Sequence, residues 1–394
     1  MQETLNQGER AEISELNQEI KRLTGILEES ETERLKMLTA DPADPFDNPT
    51  EYHEYGNYYS EIRSEVGVPG FKPALDPPYP ERSRIKKYYS IAGFILLAHF
   101  LFTNFAVSAL ITQIAKLIRS INGSASADVL YTYIKGSSIL ASLNLVTYIV
   151  ANVGLALIGL KLLPTKLPTL FKTRDYGIRN TIQYCFIAMF IFIGSTLGAS
   201  FIENIFSKFG YTTQVVDTSG FAVSKLGYAI MLLYTCVIAP LTEEFFYRGM
   251  LLRAFSAVNQ RFAIFATALF FGLGHKNIPQ FVLAFLTGLF LAHITLKHGS
   301  MIPAVIVHVF INSMSEILSL LDLSDYGELV LNFVMDVAAV LGVLALLMFR
   351  SKDKMPLSTP AQSRRGLPLA MTTIGCIFAF GAEIAYMFLL IFTE

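Results

Sequence analysis

Residues 226–251 read LGYAIMLLYTCVIAPLTEEFFYRGML. The run has the length of a membrane crossing, for which a helix needs about 20 apolar residues. It is also a poor place for charge, yet Glu243, Glu244 and Arg248 all stand in it. On insertion scales an Asp or Arg at the centre of a span costs about 2.5–3.5 kcal/mol, so ionisable groups there are read as functional by default. Glu244 and Arg248 are four residues apart, share a helix face and can pair. Glu243 lies about 100° further round the helix, lacks that partner and is left to point elsewhere. One carboxylate is thus neutralised and one is free for chemistry.

Eight further apolar runs flank this one, near 91–115, 137–160, 181–202, 262–275, 279–296, 300–320, 327–349 and 368–392. The 262–275 run is short, and eight spans remain if it forms a re-entrant pair with 279–296. The expected fold is therefore an all-α polytopic membrane protein of about eight to nine transmembrane helices. Composition agrees. Of 394 residues 53% are hydrophobic and 16% charged, where soluble chains carry about 25% charged, and mean hydropathy is +0.46. With the N-terminus inside, the inner connections hold 17 Lys and Arg and the outer ones six. The positive-inside rule then predicts a cytoplasmic N-terminus and an integral protein, expected in the plasma membrane.

The front of the chain is a different material. Residues 1–90 carry 18 acidic against 11 basic side chains and eight of the 16 prolines. Residues 1–40 are expected as a soluble helix over 9–38, because Ile13, Leu16, Ile20, Leu23 and Leu27 alternate steps of three and four, the spacing of a coiled-coil seam. That helix is either solvated surface or a protein-contact site. Residues 41–90 read as an acidic, Pro-rich linker, with Asp-Pro, Asn-Pro and Pro-Pro pairs that a regular helix does not tolerate. The domain order expected is 1–40, 41–90, then a transmembrane domain over 91–394 with its core near 226–320. Cys185, Cys236 and Cys376 lie far apart with no CxxC spacing, which argues against a disulfide framework or a Cys-rich zinc site. The N-terminus lacks the apolar core of a signal peptide. No basic stripe suggests nucleic-acid binding.

Two further sets of polar residues sit inside apolar runs. His275 ends FGLGH, and His308 and Asn312 share a face four residues apart in HVFIN. At about 1.5 Å per residue from the cytoplasmic flank, Glu243 lies about 15 Å deep, His275 about 21 Å and His308 about 13–14 Å. All three fall in one slab of a core about 30 Å thick. His99 and His293 have no such polar partner and read as packing residues. Glu316, Asp336 and Glu383 are not assigned catalysis, though Asp336 sits mid-span in VMDVAAVLG.

A carboxylate and a neutral imidazole around one water make a general base. A second histidine and an amide supply donors for an oxyanion. No Ser or Cys nucleophile stands beside them, so water attack on an amide without an acyl-enzyme is the natural reaction. The rival use of Glu243, His275 and His308 is a His₂Glu zinc site, although the HExxH spacing is absent. No cofactor is expected, with zinc left open. A non-proteolytic immunity or scaffold protein acting through its N-terminal arm stands as the alternative from another class. A transporter is a weaker third, because no inverted repeat is visible.

EExxxR (Glu243, Glu244, Arg248), FxxxH (Phe271, His275) and HxxxN (His308, Asn312) occur in that order. The set, with its EEFFYRG texture, resembles the CAAX-protease and bacteriocin-processing (Abi) superfamily, to which the Ras-converting CAAX endopeptidase belongs. The resemblance implies a glutamate-dependent intramembrane endopeptidase, with a four-helix catalytic region opening toward cytoplasm and lipid. It implies that Glu243 and His275 activate water, that His308 and Asn312 form the oxyanion hole, and that Glu244 and Arg248 support the site. The partners it implies are membrane lipid and a protein or peptide substrate, prenylated or not, since the chain shows no prenyl-binding signature. The acidic front lies outside the resemblance, and nine spans exceed the eight expected of the CAAX endopeptidase.

Overall fold

The structure is a computed structural model that describes residues 15–25, 79–122, 129, 138–163, 167–173, 176–210, 225–256, 260–352 and 366–393. The chain divides into two units, Met1–Pro42 and Ala43–Glu394. In the first, residues 15–25 form helix α1, and Leu16, Ile20 and Leu23 are all exposed on it. The rest of the helix expected over 9–38 lies outside the described residues.

The second unit has only helices as regular elements among its described residues. It comprises α2 (Tyr79–Asn122), α3 (Ser138–Leu162), a short 3-10 turn (Leu167–Phe171), α4 (Ile178–Lys208), α5 (residues 225–256), α6 (Gln260–Leu273), α7 (Ile278–His298), α8 (Ile302–Leu320), α9 (Asp325–Lys352), α10 (Gly366–Met371) and α11 (Ile374–Thr393). All nine expected apolar runs fall on helices. Seven helices among the described residues are long and apolar enough to cross a membrane, and the protein is an all-α polytopic membrane protein. Two of the nine are shorter apolar helices, Gln260–Leu273 and the Ile374–Leu389 part of α11. The reason at α6 is chemical: Gly274 and a left-handed Lys276 (φ 63°) turn the chain before a full crossing is reached.

α2 opens at Tyr79, inside the stretch expected as linker. Pro80 falls in its first turn, where a missing N–H costs nothing, and no proline follows before Asn122. At 44 residues the helix is about 66 Å long, so it extends beyond a hydrocarbon core of about 30 Å.

Two cores share α7. One joins Ile95 and Leu96 of α2, Ala156 of α3, Phe246 and Met250 of α5, Phe270 of α6 and Ala292 of α7. The other joins Tyr184 and Ile187 of α4, Phe290 and Ile294 of α7, Val307 of α8 and Phe349 of α9. α5 meets α8 alongside α7, so the motif-bearing helices are neighbours. Small residues set the closest crossings, as is common between membrane helices. A Cβ on Gly93 of α2 would sit 2.2 Å from the Cys376 nitrogen of α11, and one on Gly342 of α9 would sit 2.4 Å from the Phe186 oxygen of α4.

Overpacking of this kind costs about 1–3 kcal/mol or more. Gly93→Leu is therefore expected to pry α11 from α2, lower the melting temperature in detergent and expose the buried Cys376 thiol. Thermal melting read with a thiol-reactive dye checks both effects at once.

Candidate active site

α5 changes its winding twice around the first motif. Tyr234–Ile238 and Phe245–Leu251 are π-helical and bracket the α-helical Ala239–Glu244. Pro240 has no N–H to donate, and just before it the Ala239 N–H reaches back five residues to the Tyr234 carbonyl. Past the motif the Leu252 N–H does the same to Tyr247. A π turn holds an extra residue and re-aims the side chains around it, which is why such segments recur at functional sites.

Glu244 is fully buried. Its Oε1 lies 2.9 Å from Arg248 Nη1 and 2.8 Å from His308 Nδ1. Its Oε2 has no hydrogen-bond partner among the described residues. Arg248 is equally buried, donates from Nη2 to the Gly288 carbonyl at 3.3 Å, and lays its guanidinium over the Phe271 ring, 4.6 Å from the centroid. Glu243 differs. Its side chain is 22% exposed, and its nearest ionic neighbour is His308 Nε2, 3.8 Å from its Oε2. His308 therefore stands between the two carboxylates. A carboxylate only accepts, so the 2.8 Å contact with Glu244 assigns a proton to His308 Nδ1.

His275 sits at the end of α6. Its Nδ1 donates to the Phe271 carbonyl at 2.9 Å, which leaves Nε2 as the acceptor nitrogen of the neutral ring. A tight turn fixes it: Asn277 donates to the His275 carbonyl at 3.1 Å and accepts from the Gln280 N–H at 2.9 Å, capping α7. Lys276 bonds Asn104 and faces the Tyr386 ring at 5.6 Å. His275 lies within Coulombic reach of Glu243 and His308. Phe271 is the hub, with edge-on ring contacts to His275 at 5.1 Å and His308 at 5.5 Å.

Of the six candidate residues, Glu243, Glu244, Arg248 and His308 form one contact cluster, and Phe271 joins His275 to it. Asn312 lies one turn beyond His308 on α8, where its Nδ2 donates to the Thr235 carbonyl of the first π segment at 2.9 Å. It is thus tied to the α5 backbone, with one amide hydrogen left over. Among the described residues no group of three His, Cys, Asp or Glu side chains converges as metal ligands do.

Sequence reasoning missed several neighbours. His99, read as packing, bonds Asn152 at 2.8 Å, and Asn152 donates at 3.1 Å to Thr242, the residue before Glu243. Its ring also stacks on Phe246 at 4.4 Å. Tyr148, Tyr234 and Tyr247 lie within Coulombic reach of Glu243. The adjacency of Thr242 to the motif was the available signal; Asn152, 90 residues away, offered none. Of the unassigned carboxylates, Glu383 is buried, Glu316 is half-buried and Asp336 is exposed.

Residues 225–314 match the family described as "Rce1-like: type II CAAX prenyl endopeptidase Rce1-like". The matched segment is about a quarter of the chain and runs from the start of α5 into α8. No curated protein and no solved structure matches the chain. The segment contains all six candidate residues, and over it this chain is similar to the CAAX-protease and bacteriocin-processing superfamily.

Proposed function

We propose that this protein is an intramembrane endopeptidase that hydrolyses a peptide bond with water activated by Glu243 and His275. One observation carries the reading: of two adjacent carboxylates, Glu244 is fully buried against Arg248 and His308, while Glu243 stays partly exposed beside them. Water held between Glu243 and the Nε2 of His275 loses a proton as its oxygen attacks the carbonyl carbon of the substrate. The resulting tetrahedral oxyanion is stabilised by His308 and by the second amide hydrogen of Asn312. Collapse breaks the C–N bond, and the proton taken from water passes to the leaving amine. Because His308 Nδ1 already donates to Glu244, donation from Nε2 requires the imidazolium form. Glu244 thus acts through His308 and never touches substrate.

The substrate is a membrane-associated protein or peptide, and the family description makes a prenylated CaaX peptide the first to try. The reading needs no metal and places the N-terminus in the cytoplasm. The test is cleavage by the purified full-length chain in detergent, with a prenylated CaaX peptide and a membrane-peptide library. Glu243→Ala and His275→Ala are each expected to lower the rate by about 10²–10⁴-fold, and a strong chelator to leave it unchanged. Loss of cleavage with chelator and recovery with zinc would move the same residues into a metal site. A biological effect that survives Glu243→Ala but not deletion of residues 1–80 would favour the scaffold instead.

The supporting role of Arg248 has its own signature. Removing one partner of a buried ion pair costs about 3–5 kcal/mol, because the other is left uncompensated. Arg248→Met is expected to lower the melting temperature strongly. Arg248→Met with Glu244→Gln should recover part of that loss without restoring full activity. Equal melting of the single and double variants would contradict the pairing.

A further inference from the structure

α9 lies outside the matched family segment and is the least buried of the spanning helices. It packs on α4 with one face only, where Gly342, Ala345 and Phe349 are buried. On the opposite face Leu329, Phe333, Asp336, Val340, Val343 and Leu347 are all exposed. Their numbers advance by four, three, four, three and four, so they form one straight stripe. That alternation matches the seam of a helix pair; the neighbouring stripe through Val337, Leu341 and Leu344 is exposed with the same spacing, and Asp336 is what sets the first apart.

Asp336 stands in the middle of this stripe and midway along the Asp325–Phe349 span. Asn332, one turn before it, is exposed beside the same stripe. Neither side chain has a hydrogen-bond or ionic partner among the described residues. Plain lipid is a poor solvent for either, since it offers nothing to bond to; intramembrane carboxyls almost always face protein or water.

We propose that this face of α9 docks on the same face of a second copy, with Asp336 meeting its own counterpart across a two-fold axis. The chemistry of the stripe selects a second copy. A carboxyl pair that shares one proton carries both donor and acceptor, so Asp336 is complementary to its own counterpart. Two copies inserted in one membrane are parallel, and a two-fold contact sets each residue opposite its equivalent. The other unit of the chain points the same way independently. On α1, Leu16, Ile20 and Leu23 form a second exposed seam with steps of four and three, of a kind that pairs parallel helices.

The test uses the full-length chain alone, purified and reconstituted at varied density in phosphatidylcholine vesicles. Single-molecule photobleaching should show two steps, with the dimer fraction rising with density. Oxidation should cross-link Val340→Cys into a covalent dimer. Leu341→Cys, about 100° round the helix, should give at most the background of the native chain with its own three cysteines. Asp336→Leu, a lipid-compatible change on an exposed position, should weaken dimerisation about three- to tenfold, the range of one interhelical polar contact, and Asp336→Asn should retain it. Single-step bleaching at every density would overturn the proposal and give the face to lipid or to a different protein. Equal cross-linking at 340 and 341, or an Asp336→Leu variant that dimerises as well as the native chain, would overturn it too.

Discussion

The buried cluster of Glu244, Arg248 and His308 is the constraint on which the site depends. Two fully buried ions in an apolar bundle are costly unless each finds its complement, and here the complements come from different helices. Arg248 is on α5 with Glu244, His308 is on α8, and the carbonyl that receives the guanidinium is on α7. Satisfying Glu244 therefore fixes three helices against one another. It also fixes His308, whose other nitrogen is then turned toward Glu243. A single electrostatic requirement sets both the packing of the core and the orientation of the imidazole that faces Glu243.

Local backbone geometry does the remaining positioning. Two π segments place the pair of glutamates on a short α-helical step, so neighbours in sequence reach different surroundings. At the end of α6 a left-handed residue and an asparagine cap hold His275 while its Nδ1 is held by the Phe271 carbonyl. Phe271 receives the guanidinium on its face and two imidazoles at its edges. That arrangement suits a ring with a negative face and positive edge only in part: the cation fits the face, and the edge-on contacts are ordinary aromatic packing. The three motifs thus meet through one side chain that carries no charge.

Much of this was legible in the sequence, because it follows from local rules. Spans announce themselves by length and apolarity, and the helices fall where those runs lie. Glu244 and Arg248 pair because four residues bring a helix back to the same face. Rise per residue put Glu243, His275 and His308 at similar levels, and in the structure Phe271 links both imidazoles beside Glu243. What the residues could not reveal was set by distant chain. The partner of Thr242 is Asn152 on another helix, and the partner of Asn312 is a backbone carbonyl freed by π winding. Periodicity cannot show a π turn, since it inserts one residue without changing composition. The short α6 was legible as a short apolar run, but the start of α2 at Tyr79 was not: hydropathy averages over a window, whereas a single Pro80 decides the edge.

The central claim is a division of labour between two adjacent carboxylates, one that reacts and one that holds. The most direct test is a comparison of Glu243→Gln with Glu244→Gln, each measured for single-turnover cleavage and for melting temperature. Glu243→Gln is expected to lose cleavage while melting close to the native protein, because that side chain is partly exposed and its contact with His308 is long, at 3.8 Å. Glu244→Gln is expected to melt several degrees lower, because it strands the buried Arg248, and to lose activity only in proportion to the disordered His308. A Glu243→Gln protein that still cleaves, or a Glu244→Gln protein of native stability and no activity, would contradict the account.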